Sequence, residues 1–208
     1  GYLVTSGYHV AKVAILYPMN SIWANYMPQT PTKIGDTIEN DWNYMTDRLL
    51  RLHIDFDYID EDVLLDCTIE DGKLCIKDEK YEMLMLPPVT HIKASTMDIL
   101  EKFYAQGGKV GGDALLPYKT VEGDAGDLCG RMEKLFGANP VALRDAFLAK
   151  DEKGQELLVN SNDKGGKAVF VTGQGFHMND GLEMLQKTML ECVTPEIRID
   201  NDEVFYLH

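Results

Sequence analysis

The run Val10-Ala11-Lys12-Val13-Ala14-Ile15-Leu16-Tyr17-Pro18 constrains the fold more than any other stretch of the chain. It is apolar apart from Lys12 and is cut off by Pro18, which has no N–H with which to continue a ladder. A strand without a polar face is covered on both sides, which places it inside a parallel sheet flanked by helices. In such sheets, ligand crevices and domain contacts form beyond the carboxyl ends of the strands. Tyr17, Asn20, Trp23 and Tyr26 follow this strand directly and mark the expected crevice or interface. The plainer reading is that Trp23 and Tyr26 seal the core, as amphipathic aromatics do.

The rest of the pattern alternates strands and helices. Ile38, Trp42, Met45, Leu49 and Leu52 recur at helical spacing over 37–52. Ile54, Phe56 and Tyr58 alternate with Asp55 and Asp57, which predicts a strand with one polar face, near the sheet edge. Asp60 would cap a short helix reaching Cys67. Asp71-Gly72 between β-prone runs predicts a hairpin, a small β excursion from the main sheet. Tyr81 to Leu86 reads as a buried strand stopped by Pro87-Pro88, and Ile92 to Gln106 as a helix stopped by Gly107-Gly108. Lys109-Val110-Gly111-Gly112 begins a further strand; 127–136 is helical in pattern, and 141–148 has no clear period. Lys167 to Thr172 is a strand, and Asn179 would cap a helix ending at Cys192.

The expected fold class is therefore α/β, with a doubly wound, mainly parallel sheet of about five strands, each followed by a helix. From Pro195 to His208 the pattern changes to period two around Asp200-Asn201-Asp202, a C-terminal hairpin. The expected division is an α/β domain over 1–194, with 195–208 opening a following β-rich module. The chain reads as a piece of a longer protein. An open hairpin edge would dock on the domain or pair with a second copy, giving a homo-oligomer.

Thirty-four acidic against twenty basic residues give a formal charge of −14, which repels phosphate backbones and anionic lipid surfaces. Nucleic acid and membrane are thus not expected partners, and no long apolar segment offers a membrane span. Cys67, Cys75, Cys129 and Cys192 match no zinc or redox spacing and read as small buried apolar residues. His9, His53, His91 and His177 likewise show no zinc-binding spacing. Gly173-x-Gly175 lacks the third glycine of a dinucleotide loop, because Met178 holds that place. In the Asn160–Gly165 stretch Lys164 stands at a calcium-ligand position, and Val171 where a glutamate is required, so a solvent-facing turn is expected. No cofactor and no metal are expected.

The run from Val13 to Pro18 with Ser21-Ile22-Trp23-Ala24, the passage from Leu49-Leu50 to His53-Ile54-Asp55-Phe56-Asp57, Tyr81 to Pro87, and Gly107-Gly108-Lys109-Val110 resemble one family over nearly the whole chain. That family is the flavodoxin-like accessory domain of large bacterial glycoside hydrolases. The likeness is to the α-L-rhamnosidase-like family 106 and, more distantly, to the trimerisation domain of family 42 β-galactosidases. The accessory fold is itself similar to class I glutamine amidotransferases. The resemblance implies a flavodoxin-like fold in a parent whose glycosidic chemistry resides in a separate (β/α)8 barrel carrying paired carboxylates. Such a barrel needs about 250 residues, more than this chain holds. It also implies partners within the parent chain, namely the catalytic barrel and a β-sandwich, and export of the parent to the periplasm.

The amidotransferase likeness brings a rival enzymatic expectation. Those enzymes need a thiolate on a tight strand-to-helix turn, activated by a histidine. The corresponding turn reads Gly111-Gly112-Asp113-Ala114, without a cysteine, and His177 follows the later strand without the His-x-Glu arrangement. Asp113 and His177 join Tyr17, Asn20, Trp23 and Tyr26 as residues of the candidate crevice. The expectation is a domain without an active site of its own. The alternatives are a degenerate domain that holds a small ligand such as a sugar, and an active glutaminase-type enzyme.

Overall fold

A computed structural model describes residues 10–123, 126–149, 156–173 and 181–194. The first half runs β1 (Val13–Leu16), α1 (Met19–Asn25), α2 (Lys33–Arg51), β2 (Phe56–Ile59), α3 (Glu61–Leu64), β3 (Thr68–Glu70), β4 (Lys73–Ile76), β5 (Glu79–Tyr81) and β6 (Met83–Leu86). The second half runs β7 (His91–Ile92), α4 (Ala94–Ala105), β8 (Lys109–Asp113), β9 (Lys119–Thr120), α5 (Leu128–Phe136), α6 (Pro140–Ala149), β10 (Leu157–Ser161), β11 (Lys167–Val171) and α7 (Gly181–Cys192).

The main sheet has six strands in the order β10-β11-β8-β6-β1-β2. Five are parallel, and β10 closes one edge antiparallel to β11. The parallel strands, numbered among themselves along the chain, lie in the order 2-1-3-4-5 from the β2 edge. All four residues of β1 are buried, as an inner strand requires. Its alternation divides the core into two layers. Ala14 and Leu16 face the layer of Met97, Leu100 and Phe103 from α4 and Met132 and Phe136 from α5. Val13 and Ile15 face Met45 and Leu49 of α2 and Leu185 and Met189 of α7. Full burial of side chains of this size contributes roughly 1.5–3 kcal/mol each.

Two glycines thin β8 where long side chains cross it. A Cβ at Gly111 would lie 2.3 Å from Met85 Sδ, and one at Gly112 would lie 2.9 Å from Phe170 Cδ2. The small excursion is a three-stranded antiparallel sheet, β3-β4-β5. Asp71 and Gly72 both take positive φ at its first turn, the conformation an Asp-Gly pair favours.

Several expectations shift in the structure. The helix expected over 37–52 begins at Lys33, because the Thr32 hydroxyl accepts from the Gly35 N–H at 3.0 Å and caps it. Tyr81 belongs to β5 and Ile92 to β7, so the buried strand and the following helix are both shorter than their apolar runs. Residues 141–148, which have no clear period, lie within α6, whose first position is Pro140. Asn160 and Ser161 lie in β10 and not in a turn; the turn occupies 163–165. This strand raises the main sheet from about five strands to six. Asn179, His177 and the hairpin over 195–208 lie outside the described residues.

Candidate functional site

The carboxyl end of β1 turns at Tyr17 and Pro18 straight into α1, a two-turn helix whose inner side is stitched to the segment after β6. Ser21 is buried; its hydroxyl donates to the His91 carbonyl at 3.0 Å and accepts from the N–H groups of Thr90 and His91 at 2.9 and 3.0 Å. Asn25 Nδ2 donates to the Ser21 carbonyl at 2.8 Å and to Thr90 Oγ1 at 2.7 Å. Thr90 Oγ1 lies 2.9 Å from His91 Nδ1. Partial burial, with the nearby Lys119 charge, holds His91 below the usual imidazole range and so keeps it neutral at pH 7.

Glu61 is the second anchor. It is 3% exposed, accepts from Asn20 Nδ2 at 2.7 Å and from the Lys93 N–H at 2.7 Å, and takes a short hydrogen bond from the Thr96 hydroxyl. Helix α4 has no capping side chain of its own at Lys93. Carboxylates from elsewhere fill that role: Glu61 at Lys93, and Glu122 accepting from the Ala94 N–H at 3.1 Å. Negative charge at a helix N-terminus is favourable.

The candidate residues separate into inward and outward groups. Asn20 is committed to Glu61. Tyr17 is half-buried and meets Trp42 edge to face at 4.9 Å; Trp42 in turn meets Tyr58 at 5.2 Å. Trp23 and Tyr26 point outward, each 70% exposed. Asp113 ends β8, two strands away from β1, and is fully buried. Ala114, next along the chain, is 2% exposed and has φ +51°. A non-glycine residue held in this region is strained, but the chain beyond it runs through 115–118 without a helix to β9, so this is not the strand-to-helix turn of a nucleophile elbow. The side chain there is a methyl group. His177 lies outside the described residues.

Three cysteines lack the character of an activated thiol. Burial pushes Cys192 up to about 12, and burial likewise raises Cys67 and Cys129 above the ordinary thiol range.

A groove of about 600 Å³ opens between α1 and the first half of α2. One wall is Ile22, Tyr26 and Met27; the other is Asp36, Glu39 and Trp42, three residues apart along α2 and so aligned on one face. Gln29, Thr30 and Thr32 also line the groove. The sequence pattern singled out Tyr26 from this set. Trp42 entered only as a member of the apolar repeat over 37–52, and Asp36 and Glu39 carried no signal of their own.

No protein-family model matches the chain, and no curated protein matches it. Among solved structures, the chain is similar to a β-galactosidase from Bacillus circulans sp. alkalophilus, with 15% identity and a TM-score of 0.64, covering 97% of this chain and 34% of that one. It is also similar to a catalytic mutant of Gan42B, a GH42 β-galactosidase from G. stearothermophilus, with 13% identity and a TM-score of 0.61, covering 88% of this chain and 30% of that one. The chain thus spans about a third of the length of the solved structures it matches. At such identities the likeness is one of fold, and function has to be argued from the site.

Proposed function

We propose that this chain is a non-catalytic accessory domain of a carbohydrate-processing protein related to glycoside hydrolases, joining other domains or copies of its parent. The observation that carries this reading is the turn after β8: the position where an amidotransferase-like nucleophile would stand holds the buried methyl of Ala114, and no helix follows it before β9. A methyl group has no lone pair with which to attack a carbonyl or an anomeric carbon. The strand order 2-1-3-4-5, with helices on both faces, supports placing the domain in the flavodoxin-like class. The fold shared with β-galactosidases supports the carbohydrate context. The finer likenesses to family 106 rhamnosidases and to class I amidotransferases belong to this proposal, as do the catalytic barrel, the β-sandwich and a second copy as partners.

Trp23 is the favoured contact, since a tryptophan left 70% exposed presents apolar surface of the kind that interfaces cover. The test is turnover. The purified 208-residue chain should hydrolyse neither aryl β-galactosides nor aryl rhamnosides and should release no ammonia from glutamine. Activity that copurifies with the chain and vanishes in Asp113→Asn or His177→Ala would overturn the reading.

A further inference from the structure

The groove between α1 and α2 is left unused by that reading. Trp42, on its α2 wall, is met edge to face by Tyr17 at 4.9 Å and by Tyr58 at 5.2 Å. An aromatic face fixed before a ligand arrives loses little freedom on binding. Tyr26 stands at the rim with its ring largely bare. Asp36 and Glu39 are exposed, and neither carboxylate takes a hydrogen bond or ion pair from another side chain among the described residues. Gln29 and Thr30 add an amide and a hydroxyl to the lining.

We infer that this groove binds a neutral saccharide, with the sugar's apolar face on Trp42 and Tyr26 and its hydroxyls donating to Asp36 and Glu39. The chemistry selects the class. Two free carboxylates in a chain of formal charge −14 repel anions, which excludes phosphates and acidic sugars. Hydroxyl donors to a carboxylate form charge-assisted hydrogen bonds, the stronger kind. An ammonium would also suit a carboxylate beside an aromatic ring. The amide of Gln29 and the hydroxyls of Thr30 and Tyr26, which both donate and accept, match a ligand with several hydroxyls better than a single cationic head. A volume of about 600 Å³ suits a ligand of disaccharide size. This inference rests on the carbohydrate context proposed above and adds a binding role to it.

The test uses the full 208-residue chain carrying Trp23→Phe, which leaves Trp42 as the remaining tryptophan of the two. Trp42 emission is followed during titration with lactose, cellobiose and, as the rival class, 1,5-diaminopentane. The expected result is a saturable change with a disaccharide. It should weaken at least about tenfold in Tyr26→Ala and in the Asp36→Asn, Glu39→Gln double variant, both exposed sites whose folding is checked by circular dichroism. Calorimetry on the chain with Trp23 intact should give the same affinity, because Trp23 does not line the groove. No saturable response to either sugar, a response indifferent to the groove variants, or a preference for the diamine would overturn the inference. Hydrolysis of lactose during the titration would instead count against the non-catalytic reading while leaving the groove in place.

Discussion

Glu61 offers a test in which two substitutions at one site should give different answers. One carboxylate oxygen accepts from Asn20 Nδ2; the other accepts from the Lys93 N–H and the Thr96 hydroxyl. In Glu61→Gln the amide oxygen can keep the Lys93 and Thr96 bonds while the new NH2 faces Asn20. Asn20 then turns its own side-chain amide over and offers its oxygen instead. Only the charge assistance is lost, an expected cost of about 1–2 kcal/mol. In Glu61→Ala three donors lose their acceptor together. Thr96 is fully buried and the Lys93 N–H is partly buried at the start of α4, so these groups are poorly placed to find water in place of the carboxylate. The expected cost is about 3–5 kcal/mol, from about 1–3 kcal/mol for each poorly hydrated donor left without its acceptor. Urea unfolding followed by circular dichroism measures both, with an unchanged slope required for the comparison. Equal losses in the two variants, or a loss below about 1 kcal/mol in the alanine variant, would refute the hub role of Glu61.

Two further outcomes follow from the same core. Burial pushes the Asp41 carboxyl up from 3.8 to about 8, with the Arg48 guanidinium pulling the other way. Its folded-state value lies above its unfolded one, so its contribution is fully present below about pH 4 and is lost as the pH rises through about 8. The urea midpoint should fall over that window, and Asp41→Asn should flatten the decline; an identical slope in the variant would remove Asp41 as its cause. At Gly166 a Cβ would lie 2.0 Å from the Tyr104 carbonyl oxygen, a backbone atom that cannot swing away. Gly166→Ala should therefore cost more than about 2 kcal/mol, and a thermal scan showing an unchanged midpoint would contradict that packing.

Local signals in the sequence carried far where a residue acts on its own neighbours. Val13 to Leu16 declared a doubly covered strand, Asp71-Gly72 a tight hairpin, and Asp60 its helix cap. What stayed hidden depends on residues distant along the chain. The start of α4 is held by Glu61 and Glu122, so no capping residue stands at Lys93 to announce it. Strand β10 is an exposed edge whose Asn160 reaches back to the last carbonyls of α5, and its polar residues imitate a loop. Asp41 lies in the apolar stripe of α2 between Ile38 and Met45, where a carboxylate reads as a solvent-facing position. At the candidate site, the exposed aromatics were legible as a cluster. The partition between Asn20, tied inward, and Tyr26, free at a groove, required the path of α1 in space.

The strand order also sets a schedule for synthesis. Strand β1 is flanked by β2 and β6, yet β2 ends at Ile59 and β6 begins only at Met83, with the small three-stranded sheet in between. A ribosome adds roughly 5–20 residues per second, so the free edge of β1 waits on the order of seconds for its second neighbour. During that interval Val13-Ala14-Ile15-Leu16 is an uncharged, strongly β-prone segment open to pairing with another nascent chain. Lys12 on one side and Pro18 on the other stand where charged and imide residues interrupt such pairing. The two residues that bound the first strand thus guard it before there is a sheet to belong to.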